Sequence, residues 1–226
     1  MKTDQLLKLF DKELREDIEY PEAHKEITSD VVRFVRKPPG MNFVSFTYAR
    51  DSGLDHVIEN ELAYFRALPQ PFTWKVYSHD PSTSLIEKLK LHNFVADDDD
   101  PGDIMLLEID KAPSFLFDLV KADIRRITSR DGLKDVILVL DKVYSKNNNW
   151  VNDRLGGHLD IPGYLSIYIA YISDQPASVA WTYFQKFPEH YKRIRIAYIV
   201  DRKYQGQEAF RRSLDHFIRM TSKNKR

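Results

Sequence analysis

Ile194-Arg195-Ile196-Ala197-Tyr198-Ile199-Val200 is followed without a break by Asp201-Arg202-Lys203-Tyr204-Gln205-Gly206-Gln207. The first seven residues are rich in β-branched and aromatic side chains and read as a strand. From Glu208 to Met220, Phe210, Leu214, Phe217 and Ile218 recur at helical spacing. Gly206 stands in the loop between them. Working upstream, Ala177 to Phe184 and Leu165 to Ile172 read as strands joined by the hairpin-like turn Ser173-Asp174-Gln175-Pro176. Leu133 to Tyr144 reads as a helix, because Leu133, Val136, Ile137, Leu140, Val143 and Tyr144 fall on one stripe. The run Asn147 to Asn149 interrupts it, a weaker helix follows over Asn152 to Leu159, and Ile124 to Thr128 is a short strand. The order is strand, helix, helix, strand, strand, strand, helix, a mixed α/β unit.

This order, with its third long strand entering a Gln205-Gly206 loop and then a helix, resembles the GNAT superfamily of acyl-CoA N-acyltransferases. In that family the fourth strand ends in a bulge before a loop of the form (Gln or Arg)-x-x-Gly-x-(Gly or Ala). The resemblance implies an α+β mixed sheet and acetyl transfer from acetyl-CoA, as co-substrate, to a small-molecule or peptide amine. It implies that Ile199 and Val200 face pantetheine across a splayed gap, while Gln205, Gly206, Gln207 and Ala209 cradle the phosphates. The physical basis is general: unpaired N–H groups at a helix N-terminus carry roughly half a positive charge and accept an anion when a small residue lets it approach. Lys192, Arg193, Arg195, Arg202 and Lys203 bracket this loop. No catalytic base is assigned.

Two features depart from the family pattern. Glu208 stands where glycine is expected and Phe210 where glycine or alanine is common. Phe210 belongs to the apolar stripe. The Glu208 carboxylate would itself occupy the positive end of the helix, and a like-charge contact at about 4 Å costs on the order of 4 kcal/mol at an effective dielectric near 20. Only eight residues follow Ile218, too few for a fifth strand and the elements after it. The expectation is that the first half supplies those elements within one shared sheet, or that the second repeat is truncated and inactive.

The first half carries its own likeness. Leu6 to Glu19 is a helix ended by Pro21, and Val31 to Val35 and Phe43 to Tyr48 are strands around Lys37-Pro38-Pro39-Gly40. Asp55 to Leu68 is a helix, Phe72 to Tyr77 a strand, Ser84 to His92 a helix and Ile104 to Ile109 a strand. This succession resembles the later half of a GNAT domain. A tandem follows, with a degenerate N-terminal half over 1–112 and a C-terminal half carrying the coenzyme A loop over 113–226. The rival is a GNAT-fold binding or interaction protein without catalysis.

Composition narrows the classes. The chain has 226 residues, with 34 basic and 34 acidic side chains and no cysteine. Neutrality removes a global field for nucleic acid or anionic membrane, and the lack of cysteine removes disulfides and thiolate chemistry. No apolar run approaches the roughly 20 residues of a membrane span, and Met1 to Lys12 has no signal-peptide core, so a cytoplasmic protein is expected. A homodimer is compatible with this reading. Asp97 to Asp100 reads as a solvated turn. The seven histidines form no helical pair of metal-binding spacing, and no metal is expected. His79-Asp80 is read as a turn before Pro81, with a base oriented by a carboxylate as its alternative. Gly156-Gly157-His158 resembles a flexible acceptor loop, which makes Asp153, His158 and Asp160 candidate substrate contacts. Trp181 and Tyr183 alternate on one strand face and read as core, or as the lining of an acceptor cleft.

Overall fold

In the computed structural model, the described residues are 2–37, 40–96, 111–114, 122–186 and 192–200, with 185–186 and 192–200 described by backbone alone. The chain divides into two units, 1–106 and 107–226. The described strands form two separate four-stranded sheets, β1-β2-β3-β4 and β5-β6-β7-β8, which corrects the expectation of one shared sheet. Short turns make neighbouring strands pair locally, and each half completes its own ladder.

In the first unit, α1 (Thr3–Asp11) runs into a five-residue π-helix, Lys12–Glu16. Strands β1 (Ala23–Ile27), β2 (Val31–Arg36) and β3 (Asn42–Thr47) are antiparallel. Helix α2 (Leu54–Arg66) then crosses to β4 (Phe72–Trp74), which pairs parallel with β3, and α3 (Leu85–Leu91) follows. The β2–β3 register passes from Val32↔Phe46 to Arg33↔Val44, so Ser45 is an extra residue in β3, a bulge. One face packs Val32, Phe34, Phe43 and Phe46 on Ile18 and Tyr20. On the other, Val31 and Val44 meet Val57 and Phe65 of α2. Leu54 and Ile58 of α2 pack on Leu85 and Leu89 of α3.

As far as Val200, the second unit follows the order read from the sequence. Strand β5 (Asp123–Ile127) precedes α4 (Leu133–Tyr144) and α5 (Trp150–Leu159), and β6 (Leu165–Ile172), β7 (Gln175–Lys186) and β8 (Lys192–Val200) complete an antiparallel meander. Its core joins Val136 and Leu140 of α4 and Leu155 of α5 to Ile167, Ile169, Val179 and Trp181. The β6–β7 turn is tighter than expected: Ser173 and Asp174, at φ +49° and +58°, form a two-residue left-handed hairpin, and Pro176 lies within β7. Gly156, Gly157 and His158 lie inside α5 rather than in a flexible loop, since the flanking Val151 and Leu155 anchor that helix to the core. The expected strand Ile104 to Ile109 and helix Glu208 to Met220 fall outside the described residues.

Candidate functional site

At the carboxyl end of β8, Ile199 lies opposite Val179 and Val200 opposite Ser178. The β7–β8 register is unbroken from Lys192 to Val200, so the bulge that the resemblance implies is not in this stretch. Gln205, Gly206, Gln207, Glu208 and Ala209 lie outside the described residues, as do Arg202 and Lys203. Strand β8 ends the order of its sheet, so its outer edge carries backbone donors and acceptors that no described strand pairs.

The same end of the sheet holds a charged cluster. Arg125 is paired with Asp123 and, at 3.1 Å, with Asp174, and its guanidinium lies 4.1 Å from the centre of the Tyr171 ring. The Tyr171 hydroxyl donates to Asp135 Oδ2 at 2.6 Å, in the first turn of α4. Burial, and then the hydrogen bond to the Asp135 carboxylate, push the Tyr171 phenol up to about 12.

The acceptor-side candidates do not converge. The His158 ring is buried, with Nδ1 2.9 Å from the Tyr183 hydroxyl and its edge against Tyr164. Asp160 is exposed and accepts from Arg130 at 2.6 Å, while Asp153 is exposed on α5. Trp181 is buried in the core that includes residues of α4 and α5.

A second arrangement, unforeseen from the sequence, lies in the first unit. The parallel β3–β4 ladder covers three positions, and its last bond runs from Lys75 N to Val44 O at 3.0 Å. Beyond it β4 has ended, while β3 continues to Thr47. Arg15, from the π-helix, enters this fork: Nε donates to the bulge carbonyl Ser45 O at 2.8 Å, and Ser45 Oγ donates to Arg15 O at 2.6 Å. Its terminal nitrogens bind both carboxylate oxygens of Asp80, and Nη1 also donates to Asp11 at 2.8 Å. The guanidinium lies 4.6 Å from the Phe46 ring centre and 4.3 Å from that of Tyr77. Burial opposes the charge, but the hydrogen bonds that Arg15 donates to Asp80 and Asp11, with the charges of those carboxylates, outweigh it and raise the Arg15 pKa. On the far side, Trp74 Nε1 donates to Thr47 Oγ1 at 3.0 Å.

His79 and Asp80, read as a turn, belong to this cluster: His79 Nε2 is 3.0 Å from Asp11 Oδ1. Ligand atoms of Asp11, His79 and Asp80 lie within 4.8 Å of one another, but Arg15 already supplies the cation between the two carboxylates. The signal available in sequence was the position of Arg15 three residues before Ile18 and four after Asp11, within the apolar-faced stretch Leu6 to Glu19.

Arg50-Asp51-Ser52-Gly53 leads from β3 into α2 and repeats the first four positions of the loop form, with Asp55 where glycine or alanine is expected. Gly53 takes φ +96°, which glycine adopts without penalty. Yet Asp51 is bound by Ser82 and Ser84, Asp55 by Lys88 and His92, and the adjoining fork is full. These residues do not fit a pantetheine arm and its diphosphate.

No protein-family model matches the chain, and no curated protein matches it. Among solved structures, it is similar to a functionally unknown conserved protein from Staphylococcus epidermidis, with 14% identity, 91% of this chain and 82% of that chain covered, and a TM-score of 0.58. A predicted acetyltransferase with acetyl-CoA from Clostridium acetobutylicum is matched at 15% identity over 45% of this chain and 74% of that one, with a TM-score of 0.37. An aminoglycoside acetyltransferase from an uncultured soil metagenomic sample, in complex with sisomicin, is matched at 13% identity over 50% of this chain and 74% of that one, with a TM-score of 0.36. The described strands give the chain a mixed α/β fold with two sheets.

Proposed function

We propose that the protein transfers an acetyl group from acetyl-CoA to a small-molecule or peptide amine, with the cofactor held at the end of β8 and in the loop Gln205 to Ala209. The observation that carries this reading is the element order β5-α4-α5-β6-β7-β8, which delivers an edge strand toward that loop. Pantetheine amides can extend the sheet at Ile199 and Val200 as an added strand would. Backbone N–H groups around Gly206 would take the diphosphate. When bound, the thioester supplies the acyl carbon: a neutral amine forms the new C–N bond, the C–S bond breaks, and the thiolate leaves with the proton the amine gives up. Backbone N–H groups would stabilise the oxygen that gains charge.

Calorimetric titration of the full chain with acetyl-CoA tests the reading. Saturable binding is expected, and Glu208→Gly should tighten it by relieving like-charge repulsion. Absence of heat at millimolar concentration would favour the rival, a fold kept without catalysis. That rival draws support from the unbroken register of β8 through Val200 and from the carboxylate at 208.

A further inference from the structure

The fork in the first unit has the walls of a site, not only of a core. Apart from Asp11, the groups around the guanidinium come from segments distant in sequence: Ser45 and Phe46 on β3, and Tyr77 and Asp80 after β4. These walls also have contacts that do not involve the Arg15 side chain. Tyr77 N donates to Asp80 Oδ2 at 2.9 Å, Asp80 N donates to Tyr77 O at 3.0 Å, and Ser45 Oγ lies 3.2 Å from Val32 O. The bulge turns the Ser45 carbonyl away from an opposing residue of β2, leaving it to accept from a ligand. The arrangement matches a planar cation: a fork-on-fork carboxylate, two aromatic rings within about 5 Å of the charge and one carbonyl on the third edge. An ammonium is a compact point charge and cannot satisfy all of these at once.

We propose that the β3–β4 fork is a guanidinium-binding site, filled in this chain by its own Arg15. Arg15 is the internal ligand. A guanidinium group supplied from outside takes the same place once the Arg15 side chain is removed. This proposal is independent of acyl transfer.

The test is chemical rescue of Arg15→Ala in the full chain. The variant should melt roughly 10 °C below the parent, since it strands a buried Asp80. Methylguanidine should raise that melting temperature with the logarithm of its concentration, as a ligand of the folded state does. Methylammonium at equal ionic strength should not, and methylguanidine should not rescue the Arg15→Ala/Asp80→Asn double variant. Equal effects of the two cations, no recovery, or recovery retained in the double variant would overturn the proposal. If Arg15→Ala does not stay folded, refolding yield replaces the melt: selective recovery with methylguanidine supports the site, and equal yields with both cations reject it.

Discussion

His158 Nδ1 lies 2.9 Å from the Tyr183 hydroxyl, and Tyr183 stands on β7 four positions from Val179, the partner of Ile199. At about 3.3 Å per residue, roughly 13 Å of strand separates this pair from the proposed cofactor end. The pair is a part-buried polar contact between α5 and β7, with Tyr164 against both rings. His158→Ala should therefore act on stability, lowering it by about 2 kcal/mol, and Tyr183→Phe should cost about 1 kcal/mol. Denaturant melts read both values. Acetyl-CoA affinity should stay unchanged in both variants, and a tenfold loss would place the pair at the site instead.

Tyr171 and Tyr48 should be the late phenols in a pH titration. Burial, then the bond to Asp135 for Tyr171 and to Glu16 for Tyr48, push each to about 12. With an unfolded value of about 10, the folded protein binds more protons above that pH. The stability from these groups is complete below about pH 10 and is lost as pH rises through about 12. Asp135→Asn should move the Tyr171 phenolate absorbance step downward and leave that of Tyr48 in place.

Two glycines of the second unit should respond with opposite signs. A Cβ on Gly132 would stand 2.7 Å from Ile127 Cγ2, so Gly132→Ala should cost about 1–3 kcal/mol by overpacking. A Cβ on Gly157 meets nothing within 4 Å, and Gly157 lies inside α5. Gly157→Ala should stabilise by about 0.5–1 kcal/mol through helix propensity. A loss at Gly157 in thermal melts would argue against the helical assignment of 156–158.

Glu61 and Arg33 should prove unequal partners. Glu61 Oε1 accepts from Arg33 Nη1 at 2.9 Å, whereas its buried Oε2 has no hydrogen-bond partner. Burial raises the Glu61 pKa, and Arg33 only partly offsets this. Its contribution to stability is therefore complete below the unfolded value and falls as pH rises through the folded one. At neutral pH, Glu61→Gln should change stability by less than about 1 kcal/mol, with a flatter acid slope. Arg33→Met leaves both Glu61 and Glu26 without their cation and should cost about 3–5 kcal/mol.

Helix α4 and strand β6 occupy the bounds read from the sequence, Leu133–Tyr144 and Leu165–Ile172, because each carries an apolar pattern of its own period. Strand β1, Ala23-His24-Lys25-Glu26-Ile27, had no such pattern. It exists because β2 offers it a ladder and Arg33 a cross-strand partner for Glu26. Strand β4 stops at Trp74, short of Tyr77, because the chain beyond it turns to hold Asp80 against Arg15.

Sequence alone determined the order of elements from β5 to β8, the apolar faces of helices such as α4, and the likeness that makes the loop after Val200 a candidate site, since periodicity and turn residues act over a few neighbours. Tertiary structure decided that the described strands form two sheets, that Ser45 bulges, and that an arginine from the π-helix fills the fork. Arg15 meets Ser45 across 30 positions and Asp80 across 65. A buried cation is stable only where distant carboxylates and carbonyls arrive together to replace its water, and no local pattern encodes that meeting.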